Sequence, residues 1–150
     1  MVMATEIERK FLIDKLPDNL GNGVHIQQGY LMVCEDGKEI RIRKYGDKYF
    51  QTIKSAGNHM REETEIDITE HQFQQLWPLT EGKRIEKTRF IKKYNGHRYE
   101  IDRFNGKYKH LMIAEIEFKN EKQSNDYSPP EWLGKEITEE NKYKNKNLAS

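Results

Sequence analysis

The sequence predicts a mainly β protein of the α+β class, with eight strands in one antiparallel sheet and a few short helices outside it. Three observations support this fold class. Apolar and polar residues alternate in eight segments of strand length. Turn signals such as Asp36-Gly37 and Asn95-Gly96 join successive segments as hairpins. The clearest internal helix signal begins at Thr69, after the fifth of these segments.

Five strands are expected before this helix. We place them at residues 4–13, 25–33, 38–43, 48–55 and 61–68, with a loop at 56–60 between the last two. On the third strand, Ile40 and Ile42 alternate with Arg41 and Arg43. Successive side chains of a strand point to opposite faces, so the two arginines share a face.

The second half begins with the helix. Thr69 and Gln72 fit a capping box, Phe73 begins an apolar stripe, and Pro78 is expected to end the helix. Three strands follow, at residues 84–94, 97–104 and 111–119. The remaining chain, from about residue 120, is expected to be a C-terminal helical segment, with a short helix from Thr138 to about Leu148.

Composition limits the class of protein. The 150 residues fit one domain, 1–150. Although 34% of the residues are charged, the aromatic content of 11% argues against a disordered chain. The 26 Lys and Arg nearly balance the 25 Asp and Glu, so the basic footprint of a nucleic-acid-binding protein is absent.

Cysteine, histidine and apolar content bear on location and metals. Cys34 is the only cysteine, which excludes a disulfide framework and a thiolate zinc site, and the five histidines lack ligand spacing. No apolar run has the length of a transmembrane helix, and the first residues do not resemble a signal peptide. We therefore expect a cytoplasmic protein without membrane or nucleic-acid partners, either a monomer or a homodimer.

Charged residues recur in pairs two positions apart on the predicted strands. Acidic pairs lie at 6/8, 63/65, 100/102 and 115/117, and basic pairs lie at 41/43 and 87/89. Each pair shares one face of its strand. If the sheet closes, that face lines a polar tunnel, and eight strands can enclose a small ligand. If the sheet stays open, the charged face simply meets water, and the residue pattern leaves both arrangements open.

The segment Glu6-Ile7-Glu8-Arg9-Lys10 matches the Glu-x-Glu-x-Lys signature of the CYTH superfamily, the triphosphate tunnel metalloenzymes. The rest of the chain resembles the family pattern in the same order. The matching segments are Arg41-Ile42-Arg43, Lys54, Glu63-Thr64-Glu65, Lys87-Thr88-Arg89, Glu100-Ile101-Asp102 and Glu115-Ile116-Glu117. The chain is most similar to the short bacterial inorganic triphosphatases. This resemblance implies a closed eight-stranded antiparallel β-barrel and metal-dependent activity on triphosphates, and the reaction that we expect is hydrolysis of inorganic triphosphate to pyrophosphate and phosphate.

The resemblance also implies roles for the charged residues. Six basic residues are expected to bind substrate: Lys10, Arg41, Arg43, Lys54, Lys87 and Arg89. Five carboxylates are expected to bind metal: Glu6, Glu8, Asp102, Glu115 and Glu117. Carboxylate ligands suit Mg²⁺ or Mn²⁺, and we expect about two ions. The expected catalytic residues are Lys87 and Arg89, which would stabilise the leaving phosphate, and Glu63 and Glu65, which would orient basic residues.

The charge balance of the predicted tunnel supports a metal requirement. With Asp67 and Glu100 included, the inward acids outnumber the six bases, and the excess is about three negative charges. A polyanion would not enter such a tunnel unaided. Divalent cations would reverse the sign of the charge.

Other functions stay open at this point. An organic triphosphate is one alternative, for a nucleoside or thiamine triphosphatase or a class IV adenylyl cyclase, and a non-catalytic polyphosphate-binding module is another. The chain is short and shows no clear adenine site, although Tyr30 or Phe50 could stack on a base. Near the C-terminus, Lys142, Tyr143 and Lys144 are expected either to cap one mouth of the tunnel or to form a solvated basic face.

Overall fold

Eight antiparallel strands form a closed barrel, as predicted, in which each strand has a neighbour on both sides. The computed structural model describes residues 2–57 and 59–149, so Asn58 of the predicted loop lies outside the described residues. The strands are β1 (Val2–Leu12), β2 (Val24–Val33), β3 (Glu39–Tyr45), β4 (Lys48–Lys54), β5 (Met60–Asp67), β6 (Arg84–Tyr94), β7 (His97–Phe104) and β8 (Met112–Phe118). Their order around the barrel is β1-β5-β4-β3-β2-β6-β7-β8.

The local signals account for most of these bounds. Asn95 and Gly96 have φ values of 49° and 79°, which confirms the predicted hairpin turn with positive φ at both positions. β6 and β7, the strands on either side of this turn, have the predicted bounds. The helix α1 (Glu70–Leu76) begins at the predicted capping box, where the Thr69 side chain accepts from the Gln72 backbone and the Gln72 side chain accepts from the Thr69 backbone. A 3₁₀ turn over Trp77–Thr80 contains Pro78 and ends the helical segment.

The C-terminal region differs from the prediction. The helix α2 (Glu121–Asp126), with Asn120 as its N-cap, lies at the start of the helical segment expected from about residue 120, although no separate helix was predicted there. The single helix expected from Thr138 to Leu148 is wrong: a 3₁₀ turn over Asn141–Tyr143 and a short helix α3 (Asn145–Leu148) replace it. Lys144 has the extended ψ of 138° and separates the two.

Contacts between the C-terminal segment and the barrel explain why the expected helix is interrupted at Lys144. The backbone of Gly134 donates to the carbonyl of Leu12, and that of Ile137 donates to the carbonyl of Lys10, so the chain follows β1 in an extended form. The chain then crosses one end of the barrel, where Lys146 donates to the carbonyl of Gly37. A continuous helix cannot follow both the strand edge and the barrel end, so contacts with the barrel override local helix propensity.

Apolar side chains pack in two clusters. One lies on the outer faces of β1, β6, β7 and β8, where Phe11, Tyr99 and Ile116 pack against Trp132 of the C-terminal region. The other includes Tyr30 and Phe104 of the barrel together with Ile137, Leu148 and Ala149 of the C-terminal segment. The C-terminal region therefore covers the outer faces of β1, β6, β7 and β8, whereas Ile53 of β4 and Met60 and Ile66 of β5 remain exposed. The covering of the apolar exterior that a closed tunnel requires is thus only partial. Among the described residues, no helix is long and apolar enough to cross a membrane.

Candidate active site

The barrel interior contains a cavity of about 200 Å³ lined almost entirely by charged side chains. Seven of the eight strands contribute to it, and the C-terminal segment contributes Lys144 and Asn145. The acidic side chains are Glu6, Glu8, Glu39, Glu63, Glu65, Glu100, Glu115 and Glu117. The basic side chains are Lys10, Arg41, Arg43, Lys54, Arg61, Arg89 and Lys144. Most of the residues singled out in the sequence thus meet in one place, because each alternates on its strand with outward apolar residues.

Two of the predicted site residues, Lys87 and Asp102, lie deeper than the cavity lining. The Lys87 ammonium is fully buried, 2.7 Å from an Asp102 oxygen, and it donates to the Asn145 side chain at 3.2 Å. Arg89 donates to both Asp102 oxygens, at 2.8 and 2.9 Å. Burial alone would raise the pKa of Asp102, but Arg89 and Lys87 lower it to about 2. Burial lowers the pKa of Lys87 to about 7 despite the attraction of Asp102.

Carboxylates crowd one wall of the cavity, on β1 and β8. Glu8 lies opposite Glu117 in the strand register, and Lys10 lies opposite Glu115. Burial, reinforced by the charge of Glu115, raises the pKa of Glu8 to about 8. Burial and the charge of Glu6 raise the pKa of Glu117. Burial is the larger cause of both raised pKa values, and neighbouring carboxylates add to it, whereas Lys54 outweighs burial and lowers the pKa of Glu6 to about 2, and Lys10 lowers the pKa of Glu115. A cation near Glu8 and Glu117 would relieve the cost of burying their charges.

The fit to a metal ion is partial. All the side-chain donors on this wall are carboxylate oxygens, which suit hard divalent ions. Among the described residues, however, no group of three or more His, Cys, Asp or Glu side chains is arranged to hold a metal ion. Glu115 is engaged by Lys10 at 3.3 Å. The expected metal ligands therefore have suitable chemistry but need side-chain rearrangement to converge, and the assignment stays a prediction.

Glu63 and Glu65 have different partners. Lys54 lies between two carboxylates, with its Nζ 3.0 Å from Glu6 and 3.3 Å from Glu63. Glu63 therefore contacts a basic residue, as its expected orienting role requires. Glu65 instead accepts a hydrogen bond of 2.8 Å from Thr52. Glu6 and Glu63 together therefore hold the Lys54 ammonium in place at the cavity wall.

The arginines on the opposite wall are less well paired. Arg43 donates to the Gln28 side chain at 2.7 Å. Burial and the neighbouring guanidiniums of Arg41 and Arg89 lower the pKa of Arg43 to about 10. Arg41 lies 3.9 Å from Glu39, which is beyond hydrogen-bonding distance, and its buried Nε has no hydrogen-bond partner among the described residues.

Sequence reasoning missed Glu39, Arg61 and Gln28 as site residues. The signal was present for two of them: Glu39 lies two residues before Arg41 on β3, and Arg61 lies two residues before Glu63 on β5, so each shares the inward face. Glu39 and Arg61 were not predicted as site residues because neither belongs to the expected family motifs. Gln28 carries no charge, and only its hydrogen bond to Arg43 marks it.

The charge balance of the cavity is closer to neutrality than expected. Eight carboxyl groups face seven basic groups among the described residues. Asp67 is exposed at the end of β5, and Asp102 is neutralised by its two cations. Arg61 and Lys144 add positive charge that was not included in the predicted charge balance of the tunnel. Of the two arrangements expected for the C-terminal residues, Lys144 fits the cap because it lines the cavity, whereas Lys142 fits the solvated basic face because it is exposed.

Comparison with known proteins identifies the family. A family model described as the CYTH domain matches residues 4–150. This chain belongs to the CYTH domain family. The CYTH chain is 47% identical over 146 residues to an inorganic triphosphatase of Nitrosomonas europaea, with 97% of each sequence covered. It is 35% identical over 151 residues to an inorganic triphosphatase of Acetivibrio thermocellus, covering 98% of this chain and 94% of that one.

A solved structure agrees with the sequence comparison. The crystal structure of the inorganic triphosphatase NE1496 superposes with a TM-score of 0.73 at 46% identity. The match covers 97% of this chain and 95% of the other. The closed tunnel of this CYTH protein is therefore the fold of its family.

Proposed function

We propose that this protein hydrolyses inorganic triphosphate to pyrophosphate and phosphate inside its charged tunnel, with the help of a divalent metal ion. One observation carries the proposal: guanidinium nitrogens of Arg41 and Arg61 are buried without hydrogen-bond partners among the described residues, and they line the same small cavity as a carboxylate-rich wall. Guanidinium groups bind phosphate through forked, charge-assisted hydrogen bonds. The two curated relatives, both named inorganic triphosphatase, support the same activity.

The size and lining of the cavity favour an inorganic substrate. Its volume of about 200 Å³ lies below the roughly 300–1,000 Å³ that is typical of sites for larger organic ligands. No aromatic side chain of the described residues lines it, and Tyr30, considered for base stacking, is buried and accepts from Gln28 instead. A nucleotide base or thiamine therefore lacks a stacking partner there. A binding module without catalysis is also disfavoured, because binding an anion does not require so many carboxylates.

We propose that Glu6, Glu8, Glu115 and Glu117 hold the metal, as Mg²⁺ or Mn²⁺ and about two ions. The metal would supply charge neutralisation of the phosphates and an acidified water molecule. Asp102 has the weakest support as a ligand because both its oxygens accept from Arg89.

The basic residues supply binding and charge stabilisation. Lys10, Arg41, Arg43 and Lys54 bind the phosphate oxygens, and Glu63 holds Lys54 in place. Water attacks a terminal phosphorus, and the bond from that phosphorus to the bridging oxygen breaks, so pyrophosphate leaves. We propose that Arg89 and Lys87 stabilise the charge that develops on the leaving group. Positioning and electrostatics contribute most of the rate enhancement in such reactions.

Phosphate release tests this proposal. The purified protein is incubated with tripolyphosphate, ATP or thiamine triphosphate, with Mg²⁺, Mn²⁺ or EDTA. We expect release from tripolyphosphate with a divalent metal, much slower release from the organic substrates, and none with EDTA. Preference for ATP with phosphate release would point to a nucleoside triphosphatase, and cyclic AMP with pyrophosphate would point to a cyclase. No turnover under any condition would refute the proposal.

Three further expectations go with this function. We propose that residues 1–150 act as a single domain, that the protein works in the cytoplasm without nucleic acid, and that it is a monomer or homodimer. Light scattering coupled to gel filtration measures the oligomeric state, and fractionation of the producing cells measures the location.

A further inference from the structure

Arg61 is a basic residue of the cavity that the family motifs do not include. It lies on β5, opposite Glu6 of β1, and its side chain is 9% exposed. The nearest carboxylate oxygens belong to Glu39, at 3.6 Å, and Glu6, at 3.9 Å. Both distances are too long for a hydrogen bond. The Arg61 Nε and Nη1 atoms are buried and have no hydrogen-bond partner among the described residues.

An unpartnered, buried guanidinium donor is unusual in a folded protein, because most buried polar groups are hydrogen-bonded. Glu39 and Glu6 neutralise part of the charge of Arg61 but leave its donors unused. The guanidinium also lines the cavity. Its donors are therefore available to an anion that enters the cavity.

Lys144 approaches the same region from the C-terminal segment. It lines the cavity and is placed there by anchors on the residues that follow it: Asn145 accepts from Lys87, and Lys146 donates to the carbonyl of Gly37. Burial lowers the pKa of Lys144, and repulsion from Lys146, Arg61 and Lys10 adds to this effect. The segment thus brings a second cation into the same cavity as Arg61, and although Glu39 attracts Lys144, no carboxylate lies at ion-pair distance from it in the described part of the chain.

The strand order sets where this pair lies relative to the other cations. β5, which bears Arg61, and β6, which bears Arg89, are four steps apart in the ring of eight strands, so they form opposite walls. A linear anion that spans the cavity can therefore contact Arg89 near one end and Arg61 near the other. The middle of such an anion would meet Arg41 and Arg43.

We propose that Arg61 and Lys144 form a subsite for a terminal phosphate group of a linear polyphosphate. This inference rests on the proposed function for the nature of the ligand. A triphosphate that spans the cavity would occupy this subsite at one end and contact Arg89 at the other. Pyrophosphate, with one phosphate fewer, can bind without it. The subsite therefore provides discrimination by chain length, favouring the substrate over the larger product.

Calorimetric binding in the presence of Mg²⁺ tests the subsite without turnover. The two ligands are pyrophosphate and an analogue of tripolyphosphate in which imido groups replace the bridging oxygens. The variants are Arg61→Gln, Arg61→Lys and Lys144→Ala, and Lys142→Ala is the matched control because Lys142 is exposed on the same segment. Each variant is first checked by thermal melting, and Arg61→Lys keeps the charge near Glu39 if Arg61→Gln does not fold.

We expect Arg61→Gln and Lys144→Ala to raise the Kd of the triphosphate analogue about tenfold, the effect of losing one charge-assisted hydrogen bond. The Kd of pyrophosphate should change less than about twofold, and Lys142→Ala should change neither. Arg61→Lys should fall between the wild type and Arg61→Gln, because it keeps the charge and loses the fork.

Two results would overturn the subsite: unchanged binding of the analogue by folded variants, or equal losses for both ligands, which would indicate a general electrostatic effect. A wild-type protein that binds neither ligand would overturn both the subsite and the proposed function. A wild-type protein that shows the expected binding pattern but does not hydrolyse tripolyphosphate would refute the proposed function alone.

Discussion

Two basic pairs look alike in the sequence and differ in the folded protein. Arg41 and Arg43 on β3, and Lys87 and Arg89 on β6, each lie two residues apart on an inward face. On β6, both cations are held by Asp102 at 2.7–2.9 Å. On β3, Arg43 donates to the neutral Gln28, and the Arg41 Nε has no partner among the described residues.

This difference separates two uses of buried charge. In a buried ion pair with good geometry the two charges compensate each other, and removing one partner leaves an uncompensated buried charge. A buried cation without such a partner lowers the stability of the folded state and is available for a ligand. The β6 pair therefore belongs to the scaffold as well as the site, whereas the β3 pair serves the ligand. Three predictions test this distinction, and a fourth compares the buried pairs with a partly exposed one.

Replacing Asp102 by Asn should give the largest effect. The substitution keeps the shape of the side chain but leaves Lys87 and Arg89 without a buried counter-charge. We expect the free energy of unfolding to fall by about 3–5 kcal/mol in urea denaturation. Glu100→Gln is the control, because Glu100 is more exposed and should cost about 1 kcal/mol or less. Equal losses in the two variants would contradict the scaffold role.

Lys87→Met separates the two roles of the β6 pair. Asp102 keeps both of its hydrogen bonds from Arg89, and a buried ammonium with a pKa of about 7 is removed, so unfolding should change little. If Lys87 stabilises the leaving group, kcat for tripolyphosphate should fall about 10²–10³-fold. Lys93→Met, at an exposed position of the same strand, is the control. Near-normal turnover would remove Lys87 from the mechanism.

Arg43→Gln should affect activity and spare stability. Losing charge-assisted hydrogen bonds to phosphate should lower kcat/KM for tripolyphosphate by about 1.5–3 kcal/mol, or roughly 10- to 150-fold. Its lowered pKa shows that the folded state disfavours the Arg43 charge, so the unfolding free energy should stay the same or rise. A loss of stability like that of Asp102→Asn would contradict the contrast between the two pairs.

The ion pair between Arg9 and Glu136 gives a comparison from outside the barrel. The two side chains are 2.7 Å apart and partly exposed. Glu136→Gln should lower the unfolding free energy by about 1 kcal/mol or less and leave kcat unchanged. Arg9 lowers the pKa of Glu136, so its contribution is present above the ordinary pKa of a glutamate and is lost as the pH falls below it. Parallel wild-type and variant stability curves across this range would disprove the effect.

The sequence predicted the strands well because each hairpin turn and each alternation is a local signal. Asn95-Gly96 and the capping box at Thr69 determine the local backbone structure without contacts from distant parts of the chain. Closure of the barrel is not encoded locally: composition alone favoured an open sheet with a solvated charged face, and the family resemblance led to the prediction of a closed barrel. The C-terminal helix was wrong because hydrogen bonds to Leu12 and Lys10 override the propensity of residues 138–148.

The sequence predicted which residues line the cavity more accurately than it predicted which of them contact one another. Alternation placed Glu6, Arg41 and Glu115 on inward faces, and the structure brings them to one cavity. Partners depend on the order of the strands around the ring, which a single strand does not encode. The burial of Lys87 behind Asp102, and the shared use of Glu39 by Arg41 and Arg61, are therefore visible only in the folded protein.

The position of β1 has a consequence for how the chain reaches its native state. β1 pairs with β5 along its first half and with β8 along its second half, and the segment from Gly134 to Ile137 then docks on it. Contacts of such high sequence separation make folding slow. On the ribosome, the first strand synthesised would be among the last to find its full set of neighbours. Until then its unpaired edge is open to association with other nascent chains.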